Sequence, residues 1–307
     1  MPDNKYWIVP LLGLGVLSLC GGDDQEHSNE FEYAYKHAVK ADQCNERSTD
    51  CLNNINPCYK HGQAANIVDG SRPTLQMVEI PGGKFIMGNN NSRFRNERDI
   101  PARWVEINTF YMDVYAVSNA EFEVFVNANN YKTEAEKLGE SIVDEVDISE
   151  EIKSTIYEAF AEMTWWLPVK GADWKHPEGP DSSILDRMDH PVVHVSWSDA
   201  VAFCSWMGKR LPTEAEWERA CKAGVHELIF YMGDQYLPNN QFRSNMWQGK
   251  FPTEFTGEEG CAGHCPVTSH SSNGYGLYNM LGNVWEWTAD LFLESDYPGN
   301  HTNPVCP

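Results

Sequence analysis

The sequence predicts an α+β domain with little regular secondary structure. Three observations carry this reading: short apolar strands around a Pro-Gly-Gly turn at residues 77–88, helices with their own capping signals near the middle, and Gly, Asn or Pro in every short window after residue 225. Strands and helices do not alternate as βαβ units and no internal repeat is visible, which argues against a doubly wound parallel sheet.

In chain order, MVEIPGGKFIMG (77–88) reads as two strands flanking the turn, and WVEINTFYMDVYAVS (104–118) continues the alternating pattern. Ser118 opens a helix with Glu121 three residues on as a capping box, and Phe122, Phe125 and Val126 form its buried face. Ile152, Ile156, Phe160 and Met163 repeat at helical spacing on an acidic segment and predict one more helix laid on the core. SWSDAVAFCSWMG predicts a helix from Ser196 to Gly208, with Asp199 at its third position. LPTEAEWERACKAG predicts another, capped by Thr213 and Glu216 and stopped at Gly224, with Trp217 and Cys221 on one face. Cys204 and Cys221 are thereby expected to point inward.

The chain of 307 residues, 41% hydrophobic, is organised as a signal peptide at 1–22, a Cys-containing polar extension at 23–75 and one domain at 76–307. Lys5 followed by the apolar run from Trp7 to Leu19 and small residues at Cys20, Gly21 and Gly22 reads as a cleaved secretory signal. The run is too short for a membrane span; a lipoprotein box at LSLC is the alternative, with Leu19 where a small residue is wanted. A formal charge of −22 repels phosphate backbones, so neither nucleic acid nor an anionic membrane is expected as a partner.

Nine cysteines in an exported chain imply disulfides, and removal of Cys20 with the signal leaves eight whose connectivity is open. Cys44, Cys51 and Cys58 in the extension read as local disulfides or exchangeable thiols, the latter suiting thiol-redox proteins as partners; a small cystine-stapled lobe is the plainer alternative. Asn90 in NNS and Asn300 in NHT are candidate glycosylation acceptors. Cys261 and Cys265 flank His264 in GCAGHC, readable as a soft-metal site or, more plainly, as a local disulfide or two loop thiols. His190 and His194 could face one way as ligands, against ordinary core or turn histidines; Trp165, Trp166, Trp174 and Trp197 are expected in packing rather than on a peptide-binding surface.

MVEIPGGKFIMG, PARWVEINTFYMDVY, WWLPVKGADWKHPEGPDSSI, DHPVVHVSWSDAVAFCSWMGKRLPTEAEWERA and NGYGLYNMLGNVWEWT follow one another as in the formylglycine-generating enzyme (sulfatase-modifying factor) family. The resemblance covers residues 77 to about 290 and is closest to the endoplasmic-reticulum type of eukaryotes. It implies a C-type-lectin-like fold stabilised by calcium, and an oxygen-dependent oxidation of the cysteine in a Cys-x-Pro-x-Arg stretch of nascent sulfatase polypeptides to Cα-formylglycine. The endoplasmic reticulum lumen, or secretion, is the implied location.

By the same resemblance, one calcium ion is expected at Asn245, Glu259 and the carbonyls of Met246 and Cys261, and another at Asn279, Glu286 and the carbonyls of Gly282 and Val284. Glu259 stands where Asp is usual, Cys261 where an aromatic is common, and Ala116 where the family has Glu. Glu140, Ser141 and Trp285 fall where the family's substrate groove lies. The family's copper(I)-binding cysteine pair follows the Trp-Glu-Trp strand in a Gly-Gly-Ser-rich segment; no counterpart is visible before Pro307, so the domain reads as C-terminally truncated and no catalytic residue is identified. Cys204 and Cys221 match positions that pair with cysteines of that segment. Three outcomes follow: an enzyme supplied as a short form, a non-catalytic calcium-stabilised lectin-like relative that binds sulfatases or the enzyme, or a fragment unable to hold the fold.

Overall fold

The computed structural model describes residues 76–88, 90, 101–157, 164–225, 244–251, 255–257, 261, 263–290 and 301–302. The extension with Cys44, Cys51 and Cys58, and also Phe160, Met163, Glu259 and Asn300, lie outside the described residues.

The described chain is mixed helix and strand, with short elements throughout. Strands β1 (Met77–Ile80) and β2 (Gly83–Met87) flank the turn, but they do not pair with each other. β1 runs antiparallel to β4 (Phe110–Asp113), and β2 antiparallel to β3 (Arg103–Ile107), so the turn hands the chain from one small sheet to the next. Gly82 is required there, because a Cβ would sit 2.5 Å from the Thr109 nitrogen and 2.7 Å from the Ile107 carbonyl oxygen. β5 (Glu140–Asp144) and β6 (Trp166–Lys170) form a separate antiparallel pair, and β7 (His301–Thr302) adds a short parallel edge to β3.

Helix α1 (Asn119–Asn129) carries the expected Ser118/Glu121 capping box, and Phe122, Phe125 and Val126 are buried as read. Phe122 meets Trp174 edge-on at 5.3 Å and Phe125 meets Phe203 at 5.6 Å, which makes an aromatic core between α1 and α4 (Trp197–Trp206). Of the four tryptophans read as packing, Trp174 and Trp166 are buried, and Trp197 and Trp165 are half-buried. Helix α2 (Glu134–Leu138) has the same capping signal in Thr133 and Glu136, but at five residues it carries no apolar period in the sequence.

The helix expected to carry Ile152, Ile156, Phe160 and Met163 stops early. α3 spans only Glu150–Lys153, and the Ser154 and Thr155 hydroxyls donate back to the Glu151 and Ile152 carbonyls. Such local bonds compete with the helical ladder, while Ile152 and Ile156 still pack on the Val143, Leu167 and Val169 cluster. α4 is capped by Ser196 and Asp199, and α5 (Glu214–Lys222) by Thr213 and Glu216, both as boxes. At the end of α5 the left-handed cap is Ala223 (φ 47°), with Gly224 following at φ 80°.

Asp199 joins three elements. Fully buried, it accepts from the Ser196 amide at 2.9 Å, the Tyr131 hydroxyl at 2.8 Å and the Glu134 amide at 3.2 Å. Residues 274–290 pack on α4 and α5 with little backbone ladder. Trp197 Nε1 donates to the Thr288 carbonyl, Trp287 Nε1 to the Val195 carbonyl, Trp217 Nε1 to Glu286, and the Ala289 amide to the Pro212 carbonyl.

Candidate functional site

The loops at 244–249 and 261–286 fold onto each other around three asparagines. Asn283 sits at φ 67° and Asn279 at φ 53°, left-handed positions that asparagine tolerates better than most side chains. Asn283 is the hub: its amide N–H donates to the Asn245 carbonyl, its Oδ1 accepts from Asn245 Nδ2 at 3.0 Å and the Cys265 amide at 2.7 Å, and its Nδ2 donates to the Cys265 carbonyl. Gly282, at φ 75°, lies so close that a Cβ would stand 2.1 Å from the Asn245 carbonyl oxygen. The backbone of one loop therefore lies directly on the other.

Two amide oxygens in this cluster are left over. Asn245 Nδ2 donates to the Gly263 carbonyl and Asn279 Nδ2 to the Val267 carbonyl, yet Asn245 Oδ1 and Asn279 Oδ1 are buried and accept no hydrogen bond. Unmet buried acceptors are costly, so their retention needs a compensating partner. Glu286 is half-buried as a residue; burial raises the pKa of its carboxyl, against the pull of the Trp217 indole N–H at 2.7 Å. Amide, carbonyl and carboxylate oxygens are the kinds of donor that a hard cation takes.

The expected groove residues Glu140, Ser141 and Trp285 differ in exposure. Glu140 is exposed at the start of β5, whereas Ser141, one residue on, points the opposite way and is buried. Ser141 Oγ instead bonds His194 Nδ1 at 2.8 Å. Trp285 is half-buried and meets Trp166 edge-on at 6.2 Å, and a further chain of rings runs from Trp165 through Phe251 to Trp247 and Phe255.

His190 and His194 are not two pleats of a strand: His194 adopts φ 56° and is fully buried, its pKa lowered to about 4 by burial. His190 turns instead to His264, Nδ1 to Nδ1 at 3.1 Å, where one ring must donate and the other accept. His264 is lowered to about 3, first by burial and then by the charges of His190 and Arg187. Cys261 and Cys265 form a disulfide, which takes both sulfurs out of any soft-metal site. Among the described residues no group of three or more His, Cys, Asp and Glu side chains could hold a metal ion by itself.

Cys204 and Cys221 are free thiols that point inward as read, in different clusters. Burial pushes Cys204 up to about 11 and Cys221 further still, and the Cys221 thiol donates to the Met280 carbonyl. Asn90 is exposed, its Oδ1 accepting from the Ala102 amide. Among the described residues no helix is long and apolar enough to cross a membrane.

Comparison of the sequence with known proteins places the chain in a family. A family model described as the sulfatase-modifying factor enzyme 1-like domain matches residues 63–305. The chain is 54% identical over 250 residues to the formylglycine-generating enzyme of Mus musculus, covering 81% of this chain and 67% of that one. It is 49% identical over 237 residues to the formylglycine-generating enzyme of Thermomonospora curvata, covering 75% and 78%. A relative named inactive C-alpha-formylglycine-generating enzyme 2, from Bos taurus, is 43% identical over 228 residues, covering 74% of each chain. On the extent of the family match and these identities, the chain belongs to the sulfatase-modifying factor family, that of the formylglycine-generating enzymes.

Proposed function

We propose that this chain serves the conversion of a sulfatase cysteine, within a Cys-x-Pro-x-Arg stretch, to Cα-formylglycine in an exported compartment. The observation that carries the reading is the 54% identity to an enzyme of that name across 81% of the chain. The sulfatase segment would lie along the surface that offers Glu140 and Trp285. Calcium would be held by Asn279 and Glu286 with the Gly282 and Val284 carbonyls, and by Asn245 with the Met246 and Cys261 carbonyls and Glu259. Its contribution is to supply the positive charge that the two unmet asparagine oxygens lack.

The oxidation calls for copper(I), which thiolate pairs select. The four described cysteines do not fit it, since the half-buried Cys204 and the buried Cys221 lie in separate clusters and Cys261 and Cys265 are joined. No oxidative step is therefore assigned to them. A second reading draws on this chemistry and on the 43% identity to a relative named inactive: a calcium-stabilised protein that binds the sulfatase stretch, or the enzyme, without oxidising it. Thiol-redox partners acting through Cys44, Cys51 and Cys58 belong to the same proposal.

Mass spectrometry of a Cys-x-Pro-x-Arg peptide incubated with the chain, copper(I), oxygen and a thiol reductant separates these. An aldehyde product establishes the enzyme, and bound peptide with its thiol intact establishes the binding protein. A peptide neither bound nor changed overturns both.

A further inference from the structure

The inner end of β5 carries a pair of acids that the function above does not use. Asp144, the last residue of the strand, is 0% exposed; its Oδ1 accepts a long 3.4 Å bond from the Val146 amide, and its Oδ2 has no hydrogen-bond partner. An ionised carboxylate in that position would be uncompensated on one oxygen, which is among the costliest arrangements in a protein interior.

The nearby cations are already committed. On the same turn, Lys153 of α3 bridges to Glu145. From the segment packed against it, Arg187 forks onto both oxygens of Glu178 at 2.5 and 2.8 Å and also donates to the Ser183 carbonyl. The charges felt by Asp144 are then acidic, Asp147 and Glu145, while Asp147 in turn faces Glu178 and Arg187. On β6, the residue opposite Asp144 is Trp166, and Lys170 lies at the far end of the ladder across from Glu140. A metal is not favoured, since no group of three or more ligating side chains assembles among the described residues.

We propose that the buried Asp144 and the half-buried Asp147, three residues on, form a proton-binding pair, which takes a proton from solvent onto Asp144 Oδ2 and thereby sets the stability of the β5–β6 strand pair. The inference is independent of the activity proposed above. Desolvation first, then the Asp147 charge, pushes Asp144 up to about 7, against the Val146 and Glu145 amides. Desolvation and Glu178 push Asp147 up to about 6, against Arg187. The two titrate as a coupled pair rather than as independent sites.

Both folded values lie above the ordinary 3.8, so the folded chain binds more protons than the unfolded one in the intervening range. The stability they contribute is complete below pH 3.8 and is lost as pH rises through about 6 to 7. Because Trp166 sits across from Asp144 and meets Trp285 edge-on, a charge appearing at Asp144 is felt on the aromatic side of the candidate groove.

The test is a titration of the full chain, 13C-labelled at aspartate, following the carboxyl resonances by NMR. The expected result is one carboxyl with a midpoint near neutrality that disappears in Asp144→Asn and moves down in Asp147→Asn. A midpoint for Asp144 in the ordinary aspartate range, or a resonance moved by millimolar calcium at constant pH, overturns the proposal. Urea unfolding gives a second readout. The stability of the natural chain relative to Asp144→Asn should fall as pH rises from about 5 to about 8. A difference that does not change with pH would mean a merely structural role and would equally overturn it.

Discussion

Replacing Gly282 with alanine tests whether the contact between the two asparagine loops is as tight as the geometry implies. The added Cβ would stand 2.1 Å from the Asn245 carbonyl oxygen and 3.0 Å from its carbon, and both are backbone atoms that cannot swing aside. Residue 282 also holds φ 75°, a conformation costing a non-glycine residue roughly 1–3 kcal/mol. Overpacking adds about 1–3 kcal/mol, for a combined loss of roughly 2–6 kcal/mol. Gly139→Ala is the control, with φ 78° but nothing within 4 Å of its Cβ, so it carries the backbone cost alone. The two variants should thus differ by about 1–3 kcal/mol, which for a domain of this size is a Tm gap of roughly 2–12 °C. Differential scanning calorimetry in excess calcium measures it. A Gly282→Ala chain as stable as Gly139→Ala would show that the loops do not meet as described.

Three other outcomes are expected. Asp199→Asn should destabilise the chain by roughly 1.5–3 kcal/mol, because a charge-assisted acceptor serving three donors is lost. It should also let the Tyr131 hydroxyl, pushed far up by burial and by Asp199, titrate at lower pH in NMR spectra. Native-state alkylation at neutral pH, mapped by peptide mass, should leave the buried Cys221 unlabelled until urea is added and label the half-buried Cys204 only slowly; rapid labelling of Cys221 would contradict its burial. His194, lowered from 6.5 to about 4 by burial, contributes stability that is present above pH 6.5 and lost as pH falls toward 4. Its ring resonances should stay constant from pH 8 to about 5, and a midpoint near 6.5 would refute the burial argument.

The elements with local signals were legible. Ser118, Ser196 and Thr213 each cap a helix as their sequences say, because a capping box is completed within four residues. The sequence-to-structure gap opens where a partner is distant. Nothing local says that β1 pairs with β4 rather than β2, a pairing that brings residues 107–109 close against Gly82. His194 is a buried core histidine, as expected, but its left-handed backbone and its bond to Ser141, 53 positions away, have no local signal. Asp144 illustrates the same limit: in an acidic chain it reads as one more surface charge, and only its 0% exposure sets it apart.

Four of the bonds that fasten residues 274–290 come from Trp197 and Val195 at the head of α4, Pro212 before α5 and Trp217 within it. A β-ladder loaded at its end fails one rung at a time, like a zip. Here the attachments are rooted in separate elements and share a pull on Asp290 in parallel, so they must give way almost together. The fold thus makes a mechanical anchor from three indoles and one backbone amide. Under force this segment should hold and then release in a single step, whatever is attached beyond it.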